Sequence, residues 1–156
     1  MGDKENKTLD DVRKEIDAID QQLLKLFNER ARCAEKVAEI KVAQDGKDAV
    51  FYRAEREAQV LRKIMAANDG PLPDKAVAVL LRELMSACLA LEKPLKVAYL
   101  GPEGTWTHQA AIKKFGHSIA YNSQANFSDV FNQVARRKAH DGVVPIENST
   151  AGAVSH

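Results

Sequence analysis

The sequence predicts an all-α unit of three helices, one of them very long, followed by part of an α/β unit with the element order β-α-β-α-β. Residues 9–41 contain neither glycine nor proline, and their apolar residues recur at alternating spacings of three and four, which is typical of a helix with one apolar face. After Pro94 short apolar runs alternate with helical segments, as in a parallel sheet. We therefore expect a helical domain at residues 1–93 and an incomplete α/β domain at residues 94–156.

The composition is that of an ordinary globular protein. Of the 156 residues, 45% are hydrophobic and 29% are charged, and 23 cations against 22 anions leave a net charge of +1. This balance does not favour general binding to nucleic acid or membranes, so any cationic site must be local. Cys33 and Cys88 both lie on apolar helix faces, where we expect buried free thiols, and such thiols favour a reducing cytoplasm.

The apolar stripe of the first helix is interrupted by one arginine. The stripe consists of Leu9, Val12, Ile16, Ile19, Leu23, Leu26, Cys33, Val37 and Ile40. Arg30 occupies the position between Leu26 and Cys33 that the spacing would give to an apolar residue. Because a buried charge requires a counter-ion, we interpret Arg30 as a residue kept for an acidic partner. The alternative is that the stripe ends there and Arg30 reaches solvent.

Two further cations of this helix are related to Arg30 by helical geometry. Lys41 follows Arg30 by eleven residues, which places it within about 20° of the same face and about 16 Å further along the axis. Arg13 precedes Arg30 by seventeen residues, about 25 Å away, too far for both side chains to hold one small anion. If Arg13 and Arg30 serve one site, two chains must build it. A helix about 50 Å long also exceeds the width of a domain this size, so its stripe requires a partner.

Turn and strand signals set the remaining boundaries. Thr8 can cap the first helix, because its hydroxyl can accept a hydrogen bond from a free backbone N–H. We expect helices at residues 9–43, from 51 or 53 to 67, and from 73 to the proline at 94. In the α/β portion we expect strands at 96–100, 119–121 and 142–146, with helices at 107–115 and 128–139. Three strands and two helices cannot bury both faces of a sheet, so this portion should be the front of a larger domain.

Helices two and three add charged residues that could share a site with the three cations of the first helix. Arg56 and Glu57 open the second helix, and Glu92 lies near the end of the third, four residues after Cys88 on an apolar stripe. Each charge alone is more typical of a solvated surface. Together they predict a cavity with several cations and two carboxyl groups, which suits a small dianion that carries a hydroxyl or ether oxygen.

Residues 9–92 resemble the all-helical chorismate mutases, in particular the mutase domain that begins the bifunctional chorismate mutase/prephenate dehydratases, the P-proteins of phenylalanine biosynthesis. The matching segments are Val12-Arg13-Lys14-Glu15-Ile16-Asp17, Ile19-Asp20, Glu29-Arg30, Lys41 and Glu55-Arg56-Glu57. The resemblance implies an isomerase of the shikimate pathway that converts chorismate to prephenate without a metal or a cofactor. It also implies a cytoplasmic, intertwined homodimer.

The resemblance assigns roles to individual residues. Arg30, together with Arg13 of the partner subunit, would hold the two carboxylates of chorismate. Lys41 would address a carboxylate and the ether oxygen. Arg56 would support the site, and Glu57 would take the substrate hydroxyl.

Three positions depart from the family pattern. Arg53 stands where well-known relatives have an aspartate that acts through its backbone N–H, and Cys88 stands where a serine often binds a carboxylate. Glu92 replaces a glutamine that faces the ether oxygen in several relatives, so it can donate a hydrogen bond there only when protonated. Its apolar face and its place in the last helical turn should raise its pKa, against the nearby Lys41. Catalysis would then depend on Lys41, Glu57 and Glu92, and substrate binding on Arg13, Arg30, Lys41, Arg53, Arg56 and Cys88.

Residues 94–156 resemble the start of prephenate dehydratase. The matching segments are Tyr99-Leu-Gly-Pro-Glu-Gly-Thr105 with Ala110-Ala111, and Gly142-Val-Val-Pro-Ile-Glu-Asn-Ser149 with Gly152. The Thr-Arg-Phe motif, the second lobe and the regulatory domain of that family are absent from the sequence. We therefore expect this portion to be inactive as a dehydratase on its own.

Two other interpretations remain open at this point. An isochorismate-pyruvate lyase of the same fold would share the cationic cavity, although the dehydratase-like portion argues against it because prephenate is the product of the mutase. A non-catalytic helical dimerisation module, with the α/β portion as a ligand sensor, would need none of the charges for chemistry. Assays with both substrates distinguish the two enzymes, and binding of an oxabicyclic transition-state mimic distinguishes either from the module.

Overall fold

A computed structural model describes residues 6–148 and 152–153, and the side chains of residues 6–146. Within this range the first part of the chain is helical, as predicted, with α1 at Leu9–Asp45, a 3-10 turn at Gly46–Asp48, α2 at Ala54–Ala67 and α3 at Asp74–Glu92. Helices α1 and α2 both pack against α3. Of the helices in the described range, none is long and apolar enough to cross a bilayer.

Helix α1 begins with the predicted cap and ends slightly later than predicted. The Thr8 hydroxyl accepts a hydrogen bond from the Asp11 backbone N–H at 3.2 Å, and the Asp11 carboxylate accepts one from the Thr8 backbone N–H at 3.0 Å. The helix continues to Asp45 before the backbone turns at Gly46, which has a φ of 59°. Its 37 residues correspond to a length of about 55 Å.

The apolar stripe of α1 has little cover in the single chain. From Leu9 to Leu26 its side chains are 39–65% exposed, and no residue of α1 is buried in the described chain. Helix α3 has 19 residues and spans only about 28 Å, so it can cover about half of α1. The expectation that both cysteines are buried is therefore wrong for Cys33, which is exposed, and right for Cys88.

The second part of the described chain is an α/β unit with the predicted element order. It consists of β1 at Lys96–Leu100, α4 at Trp106–Phe115, β2 at Ala120–Gln124, α5 at Phe127–Ala135 and β3 at Asp141–Val143. These strands form a parallel sheet in the order β2-β1-β3, with Lys96 opposite Ala120 and Val97 opposite Asp141. Two short strands that the sequence does not predict, β4 at Glu147–Asn148 and β5 at Gly152–Ala153, pair in antiparallel fashion.

Both faces of the central strand are covered, which corrects the expectation from the sequence. Val97 and Ala98 point to opposite faces of β1, and both are fully buried. Val97 packs in a cluster with Phe115 of α4, and Ala98 packs in a second cluster with Val130 of α5. The outer strand β2 stays largely exposed, so the expectation holds for the edge of the sheet and not for its centre.

Three boundaries of the α/β unit differ from those predicted, and the first is the end of β2, which runs to Gln124 rather than 121. Helix α5 stops at Ala135 because Arg137 adopts a φ of 57°, outside the helical region. Ala139 then turns back into the buried cluster that contains Ala98 and Val130. Strand β3 ends at Val143, and Ile146 is 77% exposed. Ser149, the last residue of the predicted second dehydratase-like segment, lies outside the described residues.

The helical part and the α/β part meet where α3 packs against the C-terminal end of α4. The Arg82 guanidinium donates a hydrogen bond to the Lys113 carbonyl at 3.3 Å. The carboxylate of Glu83 accepts the His117 backbone N–H at 3.1 Å and contacts the His117 ring at 2.7 Å. Two consecutive residues of α3 thus satisfy polar groups that α4 leaves free where it ends.

We expect Ile119→Ala to destabilise the α/β part by about 3 kcal/mol. Ile119 is 7% exposed in the cluster that contains Val97 and Phe115, and its truncation leaves a cavity there. The measurement is native-state hydrogen exchange of the β1 backbone amides, which reports the opening of this part alone. Ile146→Ala removes the same atoms from a residue that is 77% exposed, and it should change the free energy of opening by less than about 0.5 kcal/mol. Equal effects of the two changes would contradict the described ends of the strands.

Candidate active site

A cavity of about 380 Å³ lies between α1, the start of α2 and the C-terminal half of α3. Its volume is in the range of small-molecule sites. Seven of the eight site residues predicted from the sequence line it: Arg30, Lys41, Arg53, Arg56, Glu57, Cys88 and Glu92. Apolar side chains that form the rest of the wall include Val37, Phe51, Val60, Met85 and Leu89.

Arg13 is the predicted site residue that the single chain does not bring to the cavity. It lies in the exposed first turns of α1, where its guanidinium is 3.7 Å from the Asp10 carboxylate. Seventeen residues of continuous helix separate it from Arg30, which is a distance of about 25 Å.

Lys41 is held at the cavity by the loop that precedes α2. Its ammonium group donates a hydrogen bond to the Phe51 carbonyl at 3.2 Å and lies 5.8 Å from the centre of the Phe51 ring. An ammonium group has three N–H donors, so two remain for a ligand. Sequence reasoning missed Phe51, because a lone aromatic residue in a loop belongs to no periodic pattern.

Glu92 lies at the C-terminal end of α3, beside the cations of α1. Burial raises the pKa of its carboxyl group, and Lys41 and Arg30 partly oppose that effect. This is the direction that we predicted from its apolar neighbours. A carboxyl group with a raised pKa keeps its proton to higher pH and can then donate a hydrogen bond.

Glu57 occupies the opposite wall in the first turn of α2. Burial raises the pKa of its carboxyl group, while Lys114 and Arg82 lower it. Arg82 of α3 approaches this carboxylate, and its Nε lies 3.6 Å from Glu57 Oε1. That separation makes an ion pair without a short hydrogen bond, so the carboxylate can still accept one from a ligand.

Of the remaining predicted residues, Arg53 and Arg56 lie at the N-terminal end of α2, and Cys88 lies on α3. The Arg56 guanidinium donates to the Gln59 side-chain oxygen at 2.7 Å. Arg53 precedes the helix in an extended conformation without capping it through its side chain. Free N–H groups at a helix start favour anions. Cys88 contributes a buried thiol on the α3 side.

The cavity as a whole combines positive charge with two carboxyl groups in a half-buried setting. Among the described lining residues, four are cations and two are acids. Such a site can hold the two anionic groups of a small ligand while a carboxyl group and an ammonium group approach one of its oxygens. Positioning and stabilisation of developing charge are the chemistry that this arrangement can supply.

Two family models match this chain. Residues 12–93 match chorismate mutase type II, and residues 97–156 match prephenate dehydratase. Together they cover the helical part and the α/β part in the order in which the chain presents them.

Relatives of known name match across both parts. Bifunctional chorismate mutase/prephenate dehydratases from Stutzerimonas stutzeri and Pseudomonas aeruginosa are 53% and 54% identical to this chain over 147 residues, which is 93% of the chain. The chain spans 40% of the length of each of these relatives.

A solved structure matches the helical part. The chorismate mutase (form II) of Thermus thermophilus superposes with a TM-score of 0.52 at 29% sequence identity. The match covers 56% of this chain and 96% of that one, so the helical part corresponds to nearly the whole of the matched protein.

Proposed function

The chain belongs to the chorismate mutase type II family, and on that premise we propose that it converts chorismate to prephenate in phenylalanine biosynthesis, in the cytoplasm. The observation that carries the proposal is that Arg30, Lys41, Glu57 and Glu92, which are distant in sequence, line one cavity of about 380 Å³. We also propose residues 1–93 as the mutase domain and residues 94–156 as a portion of a dehydratase domain.

The reaction is a pericyclic rearrangement, so the protein has to fix a conformation and stabilise charge rather than form a covalent intermediate. Arg30 and Arg13 of the partner subunit hold the two carboxylates in the diaxial conformer. Glu57 accepts a hydrogen bond from the substrate hydroxyl. Arg56, Arg53 and Cys88 complete the binding surface.

Lys41 and Glu92 act on the ether oxygen as its bond to carbon breaks. Lys41 brings an ammonium group with two free donors, and Glu92 brings a carboxyl group that donates a hydrogen bond while it is protonated. Negative charge grows on the ether oxygen in the transition state, so both hydrogen bonds strengthen there and lower the barrier.

The proposed enzyme is a homodimer with shared active sites. The exposed apolar stripe of α1 supports this arrangement, because a second α1 would cover what α3 leaves open. Each site would take Arg13 from one subunit and Arg30, Lys41, Arg56 and Glu57 from the other. The alternative of a non-catalytic dimer would use the same stripe without the cavity.

We expect the purified chain to accumulate prephenate from chorismate without forming phenylpyruvate, because the chain spans only 40% of the length of its bifunctional relatives. The measurement is chromatography of both products over time, with isochorismate as the control substrate. An oxabicyclic transition-state mimic should inhibit at concentrations well below the KM for chorismate. Failure to bind the mimic, together with no turnover, would favour the non-catalytic module. Pyruvate release from isochorismate alone would favour the lyase.

Mixing an Arg13→Ala chain with an Arg30→Ala chain should restore about a quarter of wild-type activity, because half of the randomly formed dimers are mixed and each mixed dimer has one intact site of two. The measurement is chorismate turnover after subunit exchange. The matched control mixes Arg13→Ala with the double variant Arg13→Ala, Arg30→Ala, which can form no intact site. A mixture as inactive as its parents, with exchange verified by mass-tagged subunits, would show that the site is not shared.

Mutase kcat/KM should fall as pH rises through the pKa of Glu92, because the carboxyl group donates to the ether oxygen only while protonated. Burial raises that pKa above the ordinary glutamate value, which moves the fall toward neutral pH. Glu92→Gln should flatten this limb, since an amide donates at any pH. The exposed Glu39→Gln change on α1 is the control and should leave the profile unchanged. A wild-type profile that is flat from acid to mildly alkaline pH would exclude this role.

A further inference from the structure

We propose that Arg82, a residue of α3 outside the cavity lining, positions the Glu57 carboxylate, and that helix α4 holds Arg82 in place, so that the mutase site depends on the α/β part. The inference rests on the proposed function and adds a positioning residue to it. Two contacts of the Arg82 guanidinium group, which face in different directions, support the inference.

The first contact joins Arg82 to the mutase cavity. Its Nε lies 3.6 Å from Glu57 Oε1, and the two side chains are only 25% and 14% exposed. An ion pair with this degree of burial is less screened than a surface pair. Arg82 therefore favours the charged form of Glu57 and restrains the orientation of its carboxylate, although Arg82 does not itself line the cavity.

The second contact joins Arg82 to α4. Its Nη1 donates to the Lys113 carbonyl at 3.3 Å. That carbonyl is available because the His117 N–H, which would close the next helical turn, is directed to the Glu83 carboxylate instead. A planar guanidinium can bond in two directions at once, whereas a lysine ammonium on a flexible stem would not be fixed in the same way.

Close packing keeps the end of α4 at this distance from α3. Gly116 has a φ of 85°, and a Cβ atom on it would come within 2.6 Å of the Ser86 Cβ. Tyr52, from the loop that lines the cavity, packs edge-on against Phe115 with 5.5 Å between ring centres. The α/β part thus touches the mutase site at the loop as well as at Arg82.

The groups of the described chain that act on the charge of Glu57 come from α3, α4 and the loop before α2. Lys114 and Arg82 lower the pKa of Glu57 against the effect of burial. Burial and the Glu57 charge raise the pKa of Tyr52 to about 12, so Tyr52 stays neutral in the working range. Loss of Arg82 should therefore raise the pKa of Glu57. Because Glu57 must ionise to accept a hydrogen bond from the substrate hydroxyl, the acid limb of kcat/KM should move to higher pH.

The test uses the full chain and compares Arg82→Met with Arg62→Met, an exposed arginine on α2. Carbon-13 NMR of labelled glutamate side chains gives the pKa of Glu57, and chorismate kinetics give the acid limb. We expect Arg82→Met to raise the pKa of Glu57 and to move the acid limb to higher pH. It should also lower kcat/KM at neutral pH by about tenfold to a hundredfold, mostly through KM. Arg62→Met should leave the pKa of Glu57 and the kinetics unchanged. A purely structural role would lower activity at every pH without moving the limb.

Two further variants separate positioning from folding. Arg82→Lys keeps the charge, so the pKa of Glu57 should move less than in Arg82→Met while KM still rises. In a Glu57→Gln background, Arg82→Met should have no further effect on the acid limb. If Arg82→Met does not fold, the comparison of Arg82→Lys with Arg62→Lys takes its place, with the same expected rise in KM.

The part played by α4 is tested with a matched pair of glycines. Gly116 and Gly104 have φ values of 85° and 81°, but a Cβ on Gly104 would meet no atom within 4 Å. Gly116→Ala should raise the pKa of Glu57 and the KM for chorismate, and Gly104→Ala should not. Equal results for the two glycines would remove α4 from the proposal, and an unmoved Glu57 pKa in Arg82→Met would overturn it. The NMR titration needs no turnover, so a wild-type chain without mutase activity would overturn the proposed function separately.

Discussion

The cost of placing a charge on an apolar helix face governs this structure. Arg30 of α1, Glu92 of α3 and Arg82 of α3 all occupy or adjoin positions where an apolar residue would pack at least as well. Each lies close to a group of opposite charge or to a cavity that can receive one. Because an unpaired buried charge is strongly destabilising, the helices have to meet so that these groups face each other or a ligand.

The sequence predicted the α1 cap, the three-helix order and the central strand because local signals there agree with the tertiary packing. It failed at the end of α5, where the deciding factors are a single left-handed residue, Arg137, and the burial of Ala139 beside Ala98 and Val130. It also failed at the ends of β2 and β3. Such choices are made by contacts distant in sequence, and short-range periodicity does not record them.

The same reasoning identified seven residues that line the cavity. It missed Arg82 and Phe51, which contact Glu57 and Lys41. Arg30 was conspicuous because it interrupts a long apolar stripe. Arg82 lies four residues from both Ala78 and Ser86, which are buried, so the same signal existed there in a weaker form. Its partners lie on α2 and α4, and only the folded chain brings them together. Phe51 offered no signal at all, because its role comes from its backbone carbonyl.

The contact between Gly116 and Ser86 has a consequence for how such two-part chains can change over generations. With 2.6 Å between the Ser86 Cβ and a hypothetical side chain on Gly116, neither position can enlarge unless the other helix shifts. Two coding segments joined in one gene are then no longer free to diverge separately at this point. A chimera that takes its helical half from one species and its α/β half from another would have to inherit both small residues together.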